Sequence, residues 1–180
     1  MSFLSTSSIF SFGPRSDRKS SRATRFGASA LVGATVAAAA VLGTGMASAA
    51  PVYCVSPPAA NDIQVDGTAS CGAKATGTGT ANSTSFDSGT SVSVADGGNS
   101  TSYATGFGTA LSAVMGGGYA YSYSIGGGIS KSYATDGATS FAVAGYGAGA
   151  SASTTTGVDC AGLNSFALDL STGRSCIAGF

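Results

Sequence analysis

A glycine recurs about every ten residues through the middle of the chain, and this repeat restricts what the chain can fold into. The glycines of one register are Gly79, Gly89, Gly98, Gly108, Gly118, Gly128, Gly137, Gly147 and Gly157, at steps of 10, 9, 10, 10, 10, 9, 10 and 10 residues. Each would cost a helix about 1 kcal/mol relative to alanine. The repeat therefore predicts short strands joined by glycine turns.

Residue size alternates within each repeat, as it does along a β-strand. The fourth residue after the glycine is serine in seven of the first eight repeats, and Phe141 is the exception. Alternation with period two puts serine, alanine and threonine on one face and larger side chains on the other. The larger set is Val92, Val94, Tyr103, Leu111, Tyr121, Tyr123, Ile125 and Tyr133.

An all-β fold follows, and two architectures fit it. The regular step favours a small-residue β-solenoid in which two or three repeats form one coil around a narrow interior. The stretch "SYAT" occurs at Ser102 and again at Ser132, which favours three strands per coil. An antiparallel meander, sandwich or barrel is the alternative, because short Gly-Gly turns also suit hairpins. Disorder agrees with the few large aliphatic residues but not with the low charge.

Four cysteines flank the repeat and predict disulfide-bonded ends. Local pairing, Cys54 with Cys71 and Cys160 with Cys176, is favoured because each bond closes a short loop, which stabilises by about 3 kcal/mol in the chain-entropy model. The predicted organisation is an N-terminal cap over residues 50–72, a repeat region over 73–157 and a hairpin cap over 158–180. In the hairpin, alternation predicts Phe166, Leu168 and Leu170 inward and Ala167 and Asp169 outward.

Residues 1–49 have the composition of a signal peptide. Basic residues from Arg15 to Arg25 precede an uncharged Ala-rich run, and Ala47-Ser48-Ala49 forms a cleavage site. Cleavage after Ala49 predicts a secreted or cell-envelope protein with no transmembrane segment. An uncleaved anchor is the alternative, since the run is long enough to span a bilayer.

The mature chain, residues 50–180, offers little for catalysis or for binding nucleic acid. Its three cations and seven aspartates give a net charge of 3 − 7 = −4, so the positive surface that nucleic acid requires is missing. The chain contains no histidine, the commonest general base. Lys131 lies between two serines, but neighbours on a strand point to opposite faces. We therefore predict a non-enzyme without a catalytic residue, cofactor or metal.

Three aspartates, Asp87, Asp96 and Asp136, stand beside turn glycines. Calcium-binding β-roll repeats have the pattern Gly-Gly-x-Gly-x-Asp, whereas here the aspartate comes before the glycines. Aspartate is a common turn residue because its side chain bonds to nearby backbone and it tolerates left-handed conformations. These positions therefore predict turns.

Several motifs carry a resemblance to a known group of proteins. The segments "CVSP" (Cys54–Pro57), "DGTASCGA" (Asp66–Ala73), "TSVSVADGGN" (Thr90–Asn99) and "DCAGLNSFALDLSTGRSC" resemble an uncharacterised family of exported, Ala/Gly-rich proteins of mycolic-acid-containing actinobacteria. The resemblance implies export and a domain of unknown function. The segment "TSFAVAGYGAGASA" (Thr139–Ala152) is similar to head repeats of trimeric autotransporter adhesins, which bears on the fold alone.

Two classes of function remain. The first is a structural or surface protein whose β-array associates with itself or with cell-envelope components. The second is a small-ligand or glycan-binding module that uses a Tyr/Thr face formed by Tyr103, Tyr121, Tyr123 and Tyr133. An exposed, co-planar set of these rings would favour glycan binding, whereas a set covered by a second copy would favour self-association.

Overall fold

The computed structural model describes residues 49–179, so the predicted signal peptide lies outside the described residues except for Ala49. All regular structure in the described part is β-strand. Within these residues, no helix is long and apolar enough to cross a membrane.

Within residues 49–179, fourteen strands form two seven-stranded sheets. Sheet A has the order β1-β4-β6-β8-β10-β13-β14, and sheet B has the order β12-β11-β9-β7-β5-β3-β2. The strands are β1 (Val52–Ser56), β2 (Asn61–Asp66), β3 (Ala69–Thr76), β4 (Thr80–Phe86), β5 (Thr90–Asp96), β6 (Asn99–Thr105), β7 (Thr109–Met115), β8 (Tyr119–Ile125), β9 (Ile129–Thr135), β10 (Thr139–Ala144), β11 (Gly149–Ser153), β12 (Gly157–Ala161), β13 (Ser165–Asp169) and β14 (Arg174–Ala178).

The body of the molecule is a parallel β-solenoid, as predicted. From β3 to β11 each strand crosses to the opposite sheet, and it pairs in parallel with the strand two places along the chain. Ser102 thus lies beside Ser122 in sheet A, and Ser112 lies beside Ser132 in sheet B. One coil therefore contains two strands and about twenty residues.

The prediction of three strands per coil from the "SYAT" recurrence is wrong. Ser102 belongs to β6 in sheet A, whereas Ser132 belongs to β9 in sheet B. A third wall would enclose a wider interior, which side chains as small as serine and alanine could not fill at native density. Two sheets that face each other directly leave a gap that these side chains do fill.

The interior consists almost entirely of serine and alanine, as the alternation predicts. Ser83, Ser93, Ser102 and Ser122 are at most 1% exposed, and the largest side chain in the central coils is that of Val114. Buried hydroxyls need partners, and here they find them across the gap between the sheets. Their oxygens are 2.7 Å apart in the pairs Ser83–Ser91, Ser93–Ser102 and Ser122–Ser130.

Close approach of neighbouring parts of the chain explains six of the nine glycines of the repeat, from Gly79 to Gly128. Gly118 is buried at the start of a coil, and a Cβ atom there would be 2.5 Å from the carbonyl oxygen of Ala138 in the next coil. At Gly89 the corresponding distance to the carbonyl oxygen of Ala104 is 2.6 Å. A side chain at either position would push the coils apart. Gly137, Gly147 and Gly157 have φ angles of 79°, 63° and 97° instead, a left-handed conformation that favours glycine.

Turn chemistry explains two of the aspartates that precede glycine or serine. Asp87 and Asp136 have φ angles of 44° and 52°. This left-handed conformation suits aspartate better than most other residues. Both residues lie in turns, where the sequence predicts them.

Antiparallel strands close the solenoid at both ends. At the N-terminal end, β1 pairs with β4 and β2 pairs with β3. At the C-terminal end, β12 pairs with β11, while β13 pairs with β10 and with β14. The predicted C-terminal hairpin is the pair β13–β14.

Both predicted disulfides are confirmed, and each joins the two sheets. Cys54 on β1 in sheet A bonds to Cys71 on β3 in sheet B, with Cα atoms 5.8 Å apart. Cys160 on β12 in sheet B bonds to Cys176 on β14 in sheet A, with Cα atoms 5.9 Å apart. The solenoid is therefore cross-linked between its sheets at both ends.

Side chains of β2 cover the free edge of β1. The backbone N–H of Val55 donates to Oδ2 of Asp62 at 2.9 Å, and Nε2 of Gln64 donates to the carbonyl oxygen of Tyr53 at 2.7 Å. An uncovered edge would present these groups to another chain. The N-terminal end is thus partly blocked against pairing with a further strand.

The predicted orientation of β13 is wrong. Ala167 and Asp169 are fully buried, whereas Phe166 and Leu168 lie on the outer side of sheet A, and Leu170 is 60% exposed after the strand. Ala167 pairs with Ala142 of β10 and so continues the small-residue ladder. The narrow interior has no space for phenylalanine or leucine, so the larger residues face outward.

Candidate functional site

The outer side of sheet A carries an unbroken row of six aromatic rings. Ring centroids of successive members are 5.3–6.3 Å apart, and the row crosses six neighbouring strands. Tyr103 and Tyr123 are direct strand partners, whereas the other contacts join residues two positions out of register, a diagonal distance that aromatic side chains span. The row consists of Tyr53, Phe86, Tyr103, Tyr123, Phe141 and Phe166.

The row lies within a larger apolar surface, here called the aromatic face. Its hydrophobic members all point outward from sheet A, and threonine, asparagine and serine stand between them. They are Tyr53, Val55, Phe86, Tyr103, Tyr119, Tyr121, Tyr123, Ile125, Phe141, Val143, Phe166, Leu168 and Ile177. Tyr53 is 53% exposed and Ile177 is 66% exposed, while the row between them is partly buried by its own neighbours.

No charged side chain points outward from sheet A in the part of the chain that the structure describes. Residues 50–180 nevertheless contain ten charged residues. Monomeric soluble proteins rarely expose an apolar patch of this extent unless it has a partner or a ligand. The aromatic face is therefore the leading candidate for a functional site.

The structure divides the four predicted tyrosines between the two faces. Tyr103, Tyr121 and Tyr123 lie together on the aromatic face. Tyr133 lies on β9 in the opposite sheet, where its hydroxyl donates to Sδ of Met115 at 3.1 Å. All four point outward, but strands alternate between sheets, so an outward residue one strand further on faces the opposite direction.

Sequence reasoning missed the four other rings of the row, Tyr53, Phe86, Phe141 and Phe166. Phe141 could have been recognised from the sequence, because it stands where the other seven repeats have serine. It follows a nine-residue step, which shifts the frame by one residue. That shift turns Phe141 outward and places Ala142 inside, beside Ser122. Tyr53 and Phe86 could not be placed beside Tyr103 without the strand pairs, in which Thr84 is the partner of both Tyr53 and Tyr103.

The rings of the row do not share one plane. Adjacent rings from Phe86 to Phe166 are inclined to each other by 36–59°. Tyr53 meets the edge of Phe86 at 88°. The surface is thus a corrugated band of ring faces and edges.

The outer side of sheet B, the opposite face, is more polar and less regular. It carries Lys74, Lys131 and Asp159, and it has a shallow depression of about 330 Å³ beside Leu111 and Tyr133. The depression forms because small residues alternate there with large ones along the ladders. Within residues 49–179, no three acidic, histidine or cysteine side chains come together as metal ligands.

Among residues 49–179, Asp169 is the one residue whose pKa is clearly shifted, and its role is structural. Burial opposes its ionisation, but hydrogen bonds from the side chains and backbone of Ser171 and Thr172 outweigh that effect and hold the pKa of Asp169 below its usual range. Its carboxylate accepts bonds from the hydroxyls of Ser171 and Thr172, both at 2.6 Å, and from the N–H of Ser171 at 3.0 Å. The buried carboxylate thus fixes the turn between β13 and β14.

Neither a curated protein nor a solved structure matches the chain. A family model described as a family of unknown function, DUF6764, matches residues 19–179, which is most of the chain and includes every residue that the structure describes. The chain therefore belongs to DUF6764, a family of unknown function.

Proposed function

We propose that this protein is a secreted or cell-envelope structural protein, a non-enzymatic β-repeat scaffold that presents a surface. The observation that carries the proposal is the pair of disulfides that join the two sheets at both ends of the solenoid. Disulfides form and persist in oxidising compartments outside the cytoplasm. The predicted signal peptide and the resemblance to exported actinobacterial proteins support the same location.

The distribution of polar groups supports a scaffold in preference to an enzyme. The interior hydroxyls are buried and bond to one another, as Ser122 does to Ser130 and Ser132 to Ser140. A nucleophile needs an accessible position and a neighbouring base. These interior serines are buried and therefore not accessible to a substrate.

Mass spectrometry of fractionated cells tests the location. We expect the protein in the extracytoplasmic fraction, with Ala50 as its first residue and with the Cys54–Cys71 and Cys160–Cys176 peptides linked before reduction. A matched variant, Ala47→Leu with Ala49→Leu, removes the small residues at the cleavage site and should retain the basic segment. A cytoplasmic protein that keeps Arg25 and four free thiols would contradict the proposal.

Glycan binding has less support from the geometry. Sugar rings stack best on aromatic rings that lie in one plane, whereas neighbouring rings of the row are inclined by 36–59° between Phe86 and Phe166. The predicted set also loses Tyr133 to the opposite face. Saturable binding to cell-wall polysaccharide that Tyr121→Ala abolishes would favour this second role.

A further inference from the structure

The aromatic face has the properties of a contact between two copies of one chain. We propose that two copies of this protein pack their aromatic faces together about a two-fold axis. This inference rests on the proposed scaffold function, and it names the partner and the surface of that scaffold. Three features of the described residues carry it: the charge distribution, the area of the face and the covered strand edge.

Charge favours contact through sheet A. The mature chain has a net charge of 3 − 7 = −4 over residues 50–180, so two copies repel each other over most approaches. Among the described residues, the outward side chains of sheet A include none of these charges. Lys74, Lys131, Asp96 and Asp159 point outward from sheet B instead. Contact between aromatic faces therefore buries no charge and keeps the charged surfaces apart.

The area of the face is sufficient for a specific contact. Seven strands about 4.8 Å apart extend across about 33 Å, and five residues rise about 17 Å along each strand. The projection is about 550 Å² for each copy, or about 1,100 Å² for the pair. Because corrugation makes the accessible surface larger than its projection, the total reaches the range of about 1,200–2,000 Å² that is typical of specific interfaces.

The residue types also match those of stable interfaces. Tyrosine and phenylalanine are enriched at the centres of protein–protein contacts, and charged residues are depleted there. Tyr103, Tyr123 and Phe141 occupy the centre of the row, with threonine and asparagine at the start of β4 and β6 beside them. A ridged band of ring faces and edges can interlock with its own copy.

Contact through the N-terminal end is less favourable. Asp62 and Gln64 already bond to the backbone of β1. A face-to-face contact uses the same surface on both copies, so it closes at two subunits and does not propagate into a filament. We therefore expect a dimer.

Sedimentation of the purified, oxidised protein tests this inference. The wild type should sediment as a concentration-dependent dimer. Tyr123→Lys places a charge at the centre of the aromatic face and should weaken association at least tenfold. Tyr133→Lys makes the same substitution on the opposite face and should leave the dissociation constant unchanged. Thr101→Lys adds a charge to the aromatic face without removing a ring, and it should also weaken association.

Circular dichroism of each variant separates loss of contact from loss of folding. If Tyr123→Lys does not fold, Thr101→Lys carries the test. A wild type that stays monomeric up to about 0.5 mM would overturn the inference, and so would equal weakening by Tyr133→Lys. A monomer that binds polysaccharide or lipid vesicles through Tyr123 would show a different occupant and would equally overturn it. Because the measurement uses purified protein, it does not depend on the cell fraction that tests the proposed function.

Discussion

Replacing Gly118 with alanine tests whether contact between coils sets the glycine period. The added Cβ would be 2.5 Å from the carbonyl oxygen of Ala138 and 3.2 Å from Cβ of Ala134, whereas ordinary contacts begin at 3.4 Å. The neighbouring backbone must therefore move by roughly 0.9 Å. The same oxygen accepts the backbone hydrogen bond from Tyr119 at 2.8 Å, so the shift also strains a bond between coils. We expect a loss of about 2–3 kcal/mol in the free energy of unfolding.

Gly72 provides a control, because alanine there should raise the free energy of unfolding, whereas alanine at Gly118 should lower it. Gly72 lies on the outer side of β3 with an ordinary backbone conformation, and an added Cβ would be 3.9 Å from the side chain of Val92. Alanine there should stabilise the protein by about 0.4–1 kcal/mol, because it lowers the entropy of the unfolded chain. Urea denaturation of the oxidised proteins measures both changes. A Gly118→Ala variant as stable as the wild type would refute the steric explanation of the repeat.

Three further changes probe the interior and its cap. Ser122→Leu should destabilise the protein by about 1–3 kcal/mol by overpacking the gap between the sheets, whereas Lys131→Ala on the opposite face should change stability by less than about 0.5 kcal/mol in thermal melts. Ser165→Ala should be neutral or stabilise by up to about 1 kcal/mol, because the buried Ser165 hydroxyl has no hydrogen-bond partner among residues 49–179; a measured loss of stability would show that it has one. Asp169 has a lowered pKa, so it stabilises the fold above its unfolded pKa of about 3.9 and loses that effect as the pH falls through its folded pKa. Asp169→Ala should therefore cost about 1.5–3 kcal/mol near pH 6 and much less near pH 2, and an equal cost at both would contradict this role.

The alternation of residue size was enough to predict the interior and the class of fold. Ser93 and Ser122 lie inside because a period of two assigns each residue to one side of its strand. The number of strands per coil is not encoded in that period. It depends on how narrow a gap serine and alanine can fill, and this decides whether Tyr123 and Tyr133 share a face or lie on opposite ones.

The C-terminal cap shows a second limit of sequence reasoning. Assigning Phe166 to the interior assumes that the most hydrophobic residues are the most buried, as in an ordinary core. In this solenoid the gap between the sheets accepts Ala167 and excludes Phe166. The cysteine pairs could be predicted from spacing, but their position across the two sheets follows only from the strand order.

The interior of serine and alanine also affects how stability depends on temperature. Unfolding exposes apolar surface, which raises the heat capacity, and polar surface, which lowers it. Here the buried side chains are mostly hydroxyls and single methyl groups. The heat-capacity change per residue should therefore fall below the usual value of about 12–15 cal/mol/K. A smaller heat-capacity change flattens the stability curve, so this fold should keep its stability over an unusually wide range of temperature.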